Sequence, residues 1–303
     1  MELGMIGLGK MGAFMTERLV KGGHRVVGFD RDAAAVQRVI DKGSAGADSL
    51  EKMISQLKIP RAVWLMVPAG APVDQTIEQL LPHLAPGDTI VDGGNSYYKD
   101  SVRRAAALAP KKINFVDSGT SGGVWGLAEG YSMMVGGDAD VVKRLSPIFE
   151  TLAPGPNKGW GRVGPAGSGH FVKMVHNGIE YGIMQAYAEG LDLLRHKKEF
   201  DVDLLQVSQI WQFGSVIRSW LLDLTVDALQ KNPTLDGVGA YVTDSGEGRW
   251  TVIEGIDLGV ALPVISGALD VRFRSQDPEP FANKLLAMMR HEFGGHAVKT
   301  VAK

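Results

Sequence analysis

The stretch Leu3-Gly4-Met5-Ile6-Gly7-Leu8-Gly9-Lys10-Met11-Gly12 decides the fold, together with the residues from there to Asp30. A helical pattern runs on through Val20, Gly22-Gly23-His24 makes a turn, and Arg25–Phe29 leads to Asp30. The order is strand, glycine turn, helix, strand, acidic residue, within about 30 residues. The glycines permit a tight turn and a close backbone approach to a pyrophosphate, which then sits on the helix N-terminus. A Gly-x-Gly-x-x-Gly run alone is weak evidence, but here both flanks match what dinucleotide binding needs. Gly7, Leu8, Gly9, Lys10, Met11 and Gly12 are therefore candidate cofactor-binding residues. Asp30 closes the second strand, where a carboxylate accepts both ribose hydroxyls of an adenosine and repels a 2′-phosphate. That argues for NAD. Arg31 pulls the other way, because an arginine there stacks on adenine or pairs with a 2′-phosphate, so NADP stays open as a minor cofactor.

Outward from this unit, strands are expected at residues 62–67, 89–91, 113–116 and 131–135. Helical patterns at 73–84 and 98–108 separate the earlier ones. The alternation predicts an α/β domain built on a Rossmann-type doubly wound sheet. Ligands in such sheets bind outside the carboxyl ends of the strands. Three loops fall there: Val67-Pro68-Ala69-Gly70, Asp92-Gly93-Gly94-Asn95-Ser96, and Asp117-Ser118-Gly119-Thr120-Ser121-Gly122-Gly123. Ser121, Gly122 and Gly123 can offer a hydroxyl and successive N–H groups to a carboxylate, as an anion-binding nest does. A glycine-rich loop alone is as readily a plain turn; two at consecutive strand ends carry more weight.

Around residues 157–169 the chain turns rich in Gly and Pro, which puts a boundary near Pro165. The expected domains are 1–165, dinucleotide-binding, and 166–303, helical and concerned with substrate and self-association. Helices are expected at 170–195, 203–213, 216–230 and 248–258, so the C-terminal domain is all-α. Trp211, Phe213 and Trp220 read as core. In the long helix Phe171, Met174, Val175, Ile179 and Ile183 form an apolar stripe. Lys173, His176, Asn177, Glu180, Tyr181 and Met184 fall on another face. A charged helix face is ordinarily just solvated, but this one is short-spaced, chemically diverse and flanked by apolar residues. Gly178 and Gly182 each cost about 1 kcal/mol relative to Ala, which points to close approach by another helix or a ligand. This helix reads as the wall of an active site. In the last third, Arg249, Arg272, Arg274 and Arg290 suit phosphate oxygens, although scattered surface arginines are the ordinary case, and His296 fits a surface tail equally well.

Composition bounds the rest. At 303 residues two domains are the natural expectation. A net charge of −2 with 45% hydrophobic and 22% charged residues argues against a nucleic-acid partner, and no basic amphipathic segment argues for a membrane. With no cysteine, disulfides, thiolate metal sites and cysteine nucleophiles drop out, and no metal is expected. The first strand starts without a basic leader, and no run of 18 apolar residues occurs, so a cytoplasmic protein is expected.

Gly-His-Phe-Val-Lys-Met-Val-His-Asn-Gly-Ile-Glu-Tyr at positions 169–181 resembles the signature of the 6-phosphogluconate dehydrogenases, the decarboxylating enzymes of the oxidative pentose phosphate route. The resemblance extends from the Gly7–Gly12 turn through Asp92-Gly-Gly-Asn95 and Ser121-Gly-Gly123 to Arg290-His-Glu-Phe-Gly-Gly-His296, essentially the whole chain. The length resembles the short form, which lacks a large helical extension and tends to prefer NAD where an acidic residue follows the second strand. The resemblance implies Lys173 as general base for the substrate 3-hydroxyl and Glu180 as the acid that protonates C1 of the enediol. A lysine can serve as base near neutral pH only if desolvation or a neighbouring cation favours its neutral form. Seven residues separate the two, about 10 Å along a helix axis. It further implies sugar and carboxylate contacts by Asn95, Ser121, Gly122, Gly123, His176 and Asn177, and phosphate contacts by Tyr181 and Arg272. Val67 and Asn95 join the cofactor set. Arg290 and His296 match a tail that reaches into the neighbouring subunit of a homodimer or homotetramer. One departure stands out: where longer enzymes carry Lys-Gly-Thr-Gly-Lys-Trp, this chain has Ser245-Gly246-Glu247-Gly248-Arg249-Trp250. Glu247 would repel phosphate, with Arg249 as the compensating cation.

Two rivals remain. A β-hydroxyacid dehydrogenase of the 3-hydroxyisobutyrate type shares the glycine fingerprint, the Ser-Gly-Gly loop and a lysine followed by asparagine, but does not typically carry His176 with Glu180-Tyr181; release of CO2 separates the two. A non-catalytic NAD-binding protein on the same fold would bind NAD and turn over no sugar acid.

Overall fold

The computed structural model describes residues 1–300, and the chain forms two compact units, Met1–Asn177 and a second that starts at Gly178. The first opens β1 (Glu2–Ile6), α1 (Lys10–Lys21), β2 (Arg25–Phe29), α2 (Ala33–Ile40), β3 (Ala45–Gly46), α3 (Leu50–Ser55), β4 (Ala62–Leu65) and α4 (Ala71–Leu80). It continues through β5 (Thr89–Asp92), α5 (Tyr98–Leu108), β6 (Asn114–Ser121), α6 (Gly126–Glu129), β7 (Ser132–Gly136), α7 (Ala139–Leu152) and β8 (Trp160–Gly164) to the first turns of α8 (Ser168–His196). The strands form one sheet in the order β3-β2-β1-β4-β5-β6-β7-β8. Pairing is parallel throughout except between β6 and β7.

Strands β1, β2, β4 and β5 read as largely apolar runs because helices cover both faces of the sheet. Side chains alternate between two cores with the period of two that a strand imposes. Leu3, Met5, Trp64 and Val91 face one core with Met15, Leu19 and Phe149. Ile6, Val63, Leu65 and Ile90 face the other with Met53, Ile77 and Leu80. The doubly wound sheet expected from sequence is thus present.

Residues 117–121, expected as loop, are strand. β6 runs on through Ser121 because antiparallel β7 pairs with it from Asp117↔Gly136 to Ser121↔Ser132. The short edge strand β3 and strand β8 had no periodic signal strong enough to be read.

α8 does not begin the second unit; its first turns are built into the first. Both carboxylate oxygens of Asp117 accept from this N-terminus, from Gly167 N–H at 2.6 Å and His170 N–H at 2.8 Å, a favourable place for a negative charge. Any Cβ on Gly169 would stand 2.5 Å from the carbonyl oxygens of Asp117 and Met134, and one on Gly119 would stand 2.3 Å from Lys173 Cβ. Glycine at both positions lets helix and strand touch backbone to backbone. By contacts within the chain the compact units part inside α8, between Asn177 and Gly178.

The second unit is helical: the rest of α8, then α9 (Leu204–Trp211), α10 (Trp220–Lys231), α11 (Glu247–Leu258), α12 (Pro263–Gln276) and α13 (Phe281–Gly294). Gly178 and Gly182 admit other helices, as one of the two expected explanations had it. A Cβ at Gly178 would meet Thr251 Cγ2 at 2.8 Å and one at Gly182 would meet Val264 Cγ1 at 3.1 Å. The buried cluster here is small, Tyr181, Ala268 and Leu269 with Val252 packed on it. Phe213 is 80% exposed and Trp220 49%, so the expectation that these aromatics are core fails within this chain. Ile179 and Ile183 of the α8 stripe are exposed too: the helices around them are too few to cover every apolar face. Among the described residues no helix is long and apolar enough to cross a membrane.

Candidate active site

At the carboxyl ends of β1, β2 and β4 lies a cavity of about 570 Å3, lined among others by Gly7, Gly9, Lys10, Met11, Gly12, Asp30, Arg31 and Val67. The glycines divide the work. Gly7 has φ +89° and a Cβ there would meet Met66 O at 2.4 Å; one at Gly12 would meet Gly7 O at 1.9 Å. A Cβ on Gly9 would meet nothing within 4 Å, so its backbone is open to a ligand. The first helical bond of α1 runs from Ala13 N–H to Gly9 O, which leaves the preceding N–H groups without intrahelical acceptors. Gly9 supplies no side-chain cap. Two close-packed glycines, an open one between them and an uncapped helix end fit a pyrophosphate. Leu8 does not line the cavity: its side chain is buried in the core, and its N–H donates to Asp30 Oδ2 at 2.6 Å. Asp30 Oδ1 accepts Asp32 N–H at 2.9 Å. The carboxylate that faces the cavity therefore also locks the glycine loop. Gln75, Thr76 and Gln79 of α4 line the opposite wall; nothing in their spacing singled them out beforehand.

Asn95 is exposed on the loop after β5. That loop is pinned by Asp92, which accepts Gly94 N–H at 3.2 Å and the Ser96 hydroxyl at 2.7 Å. Buried Arg104 ties it to the preceding loop, with Nη1 3.4 Å from Asp92 Oδ2, Nε 2.8 Å from Asp74 Oδ1 and Nη2 3.1 Å from Gly70 O. Arg104, and then Arg103, hold the Asp74 carboxyl below the ordinary carboxylate range. Ser121 ends β6, and Gly122 (φ +128°) and Gly123 (φ +50°) turn the chain in conformations that favour glycine. A Cβ on Gly123 would meet nothing within 4 Å.

Lys173 is 5% exposed. Its Nζ donates to Asn177 Oδ1 at 2.6 Å, one helical turn on, and lies 3.4 Å from His176 Nδ1. His176 Nδ1 is 3.0 Å from the same amide oxygen. An amide oxygen only accepts, so amine and imidazole converge on it as donors. Lys173, His176 and Asn177 are thus brought together, as the helical spacing predicted; the approach that seats them, Gly119 under Lys173, was not foreseen.

In the helical unit, Glu180 is half-buried and Tyr181 buried on α8. The Arg272 guanidinium lies 3.6 Å from the Tyr181 ring centroid, and its Nη1 donates to Thr243 O at 2.8 Å. The Tyr181 hydroxyl lies 3.3 Å from both Asp244 Oδ1 and Ser245 Oγ. The departure at 245–250 takes a definite form. Buried Glu247 accepts the Ser245 hydroxyl at 2.5 Å, and Arg249 pairs with Asp244 at 2.6 and 3.0 Å. Arg249 is therefore engaged by a carboxylate, which the sequence reading had not anticipated. Arg290 is exposed on α13, and the His296 ring sits edge-on to Phe293 at 6.0 Å. Among the described residues no hydrogen bond joins either to Tyr181 or Arg272.

Two family models match the chain: the NAD binding domain of 6-phosphogluconate dehydrogenase over residues 2–161, and the 6-phosphogluconate dehydrogenase C-terminal domain over residues 169–280. A Haloferax volcanii protein named 6-phosphogluconate dehydrogenase, NAD(+)-dependent, decarboxylating, is 44% identical over 299 residues, 98% of each chain. A decarboxylating 6-phosphogluconate dehydrogenase of Saccharomyces cerevisiae is 39% identical over 94% of this chain but only 61% of its own length. The Plasmodium falciparum 6-phosphogluconate dehydrogenase, solved as apo form, with NADP+ and with 6-phosphogluconate, superposes with a TM-score of 0.84 at 28% identity, covering all of this chain and 67% of that one. Fingerprint, helix motif, both family models and near-full-length identity agree: the chain belongs to the 6-phosphogluconate dehydrogenase family.

Proposed function

We propose that this protein oxidises and decarboxylates 6-phospho-D-gluconate to D-ribulose 5-phosphate and CO2 while reducing NAD. The observation that carries the reading is Lys173, a buried amine held by Asn177 one turn away with His176 on the same amide oxygen, on the helix that carries Glu180 two turns on. Lys173 takes the proton of the substrate 3-hydroxyl as hydride leaves C3. Bound NAD supplies the hydride acceptor. The Lys173 ammonium then polarises the new carbonyl, the C1–C2 bond of the β-keto acid breaks, and CO2 leaves. Glu180 delivers the proton to C1 of the enediol. Asn95, Ser121, Gly122, Gly123, His176 and Asn177 hold the hydroxyls and carboxylate. Tyr181 and Arg272 take the phosphate; with Arg249 neutralised by Asp244, Arg272 is the main cation for it.

Asp30 and the NAD(+)-dependent Haloferax relative support NAD as the principal cofactor; Arg31 and the NADP+ complex of the Plasmodium relative leave NADP a minor role. The active form is proposed as a homodimer or homotetramer. Its support is the number of large apolar side chains exposed in the helical unit, Phe200, Phe213, Val216, Phe281 and Phe293 among them, more than an isolated unit ordinarily leaves in water. Arg290 and His296 then complete a neighbour's site. The cytoplasm is the proposed compartment for a reaction on a free phosphorylated sugar acid.

The deciding assay measures NADH and trapped CO2 from 6-phosphogluconate, in parallel with NADP and with unphosphorylated gluconate. Stoichiometric NADH and CO2 from the phosphorylated acid are expected. NADH without CO2 would favour a simpler hydroxyacid dehydrogenase, and NAD binding with no turnover a non-catalytic protein.

A further inference from the structure

The helix motif holds a second histidine for which the proposed reaction has no use. His170 sits on the first turn of α8, three residues before Lys173, and is 1% exposed. Both ring nitrogens are engaged. Nε2 lies 3.1 Å from Gly94 O and Nδ1 2.7 Å from Ser101 Oγ on α5. A carbonyl only accepts, so Nε2 carries the proton and Nδ1 accepts from the serine hydroxyl; the partners define one neutral tautomer.

Many buried histidines are merely satisfied core. This one differs in what it grips. The Gly94 carbonyl belongs to the planar peptide that joins Gly94 to Asn95, so fixing that oxygen fixes the plane from which Asn95 departs. Asn95 is exposed, and among the described residues its side chain has no hydrogen-bond partner within the chain; its aim rests on the backbone alone. Asp92 restrains the preceding peptide, Gly93–Gly94, through Gly94 N–H. Asp117 holds the His170 backbone against β6.

We propose that His170 is a positioning residue: it braces the Lys173 helix against the Gly94–Asn95 peptide and so sets the aim of Asn95. The inference rests on the reading of Asn95 as a site residue. It is tested with full-length wild type, His170→Asn, His170→Gln, Asn95→Ala and the double variant His170→Asn/Asn95→Ala, measuring kcat/KM for 6-phosphogluconate with NAD, and Tm. His170→Asn, too short to reach Gly94, should lower kcat/KM about tenfold or more. His170→Gln, whose amide reaches the same carbonyl, should recover most of it. In the Asn95→Ala background the loss from His170→Asn should shrink to within about twofold, since the group it aims is gone. Full additivity in that background overturns the inference while leaving Asn95 in the site. No loss from Asn95→Ala would remove Asn95 itself, and the inference with it. Should His170→Asn not fold, Ser101→Ala carries the same cycle: its smaller loss should also vanish in the Asn95→Ala background, and a loss that adds there counts against the brace.

Discussion

In the proposed reaction Lys173 and Asp30 mark the two ends of the chemistry, and Asp30 does more than its sequence position announced. Lys173→Met keeps much of the side-chain volume and removes the amine. Oxidation should fall by at least about 10²–10⁴-fold, the usual weight of general-base catalysis, while NADH affinity measured by fluorescence stays near wild type. Substantial residual turnover would remove Lys173 from the base role. Asp30 both faces the cofactor cavity and accepts Leu8 N–H. Asp30→Ala should therefore do two things at once. Lifting the negative charge shifts the NADP/NAD ratio of kcat/KM upwards by about tenfold or more, and orphaning the Leu8 N–H loosens the glycine loop, at about 1–3 kcal/mol for an unsatisfied buried donor. NAD affinity should drop further than the lost ribose contacts alone require. An unchanged ratio would show that Asp30 does not set the preference.

Elements divide into those that announce themselves locally and those that do not. α5 and the fingerprint unit were legible because the helical period and, in the fingerprint, the glycines lie within one short window. So was the polar face of α8 around Lys173. The extension of β6 was not, because it exists only through antiparallel pairing with the next strand, β7, which no local period announces. Gly119 read as a loop residue and Gly169 as part of a Gly/Pro-rich boundary for the same reason; a helix crossing a strand at backbone contact leaves no periodic trace. The loops of β4 and β5 share a further tie that sequence could not show, Arg104 between Asp74, Gly70 and Asp92. Its pH signature has a definite sign. The folded Asp74 carboxyl, held low by Arg104 and Arg103, binds its proton more weakly than the unfolded one. Its contribution is present in full above the ordinary carboxylate range and is lost as pH falls through and below it. Denaturant midpoints of wild type and Asp74→Asn should differ at pH 7 and converge towards pH 3; a gap that persists at acid pH would mean that the ion pair is not its source.

For the whole molecule, the exposed aromatics of the helical unit explain why Trp220 and Phe213 defied a core assignment: sequence patterning marks an apolar face but not whose surface covers it. If Arg290 and His296 complete a neighbour's site, two inactive variants should repair each other. Mixing Lys173→Met with Arg290→Ala by co-refolding pairs an intact lysine site with an intact tail in the mixed dimer. Random association would restore about a quarter of wild-type activity, because half the dimers are mixed and each holds one whole site. No recovery, with mixed dimers confirmed by mass, would confine each tail to its own chain. A last consequence belongs to α8, the unbroken helix that carries both Lys173 and Glu180. One residue inserted between them would swing Glu180 by about 100° around the axis and move it by about 1.5 Å, turning the proposed acid out of step with the proposed base. Surface loops absorb length changes cheaply; these two turns cannot. Over that span heredity can exchange letters, but it cannot add or drop one.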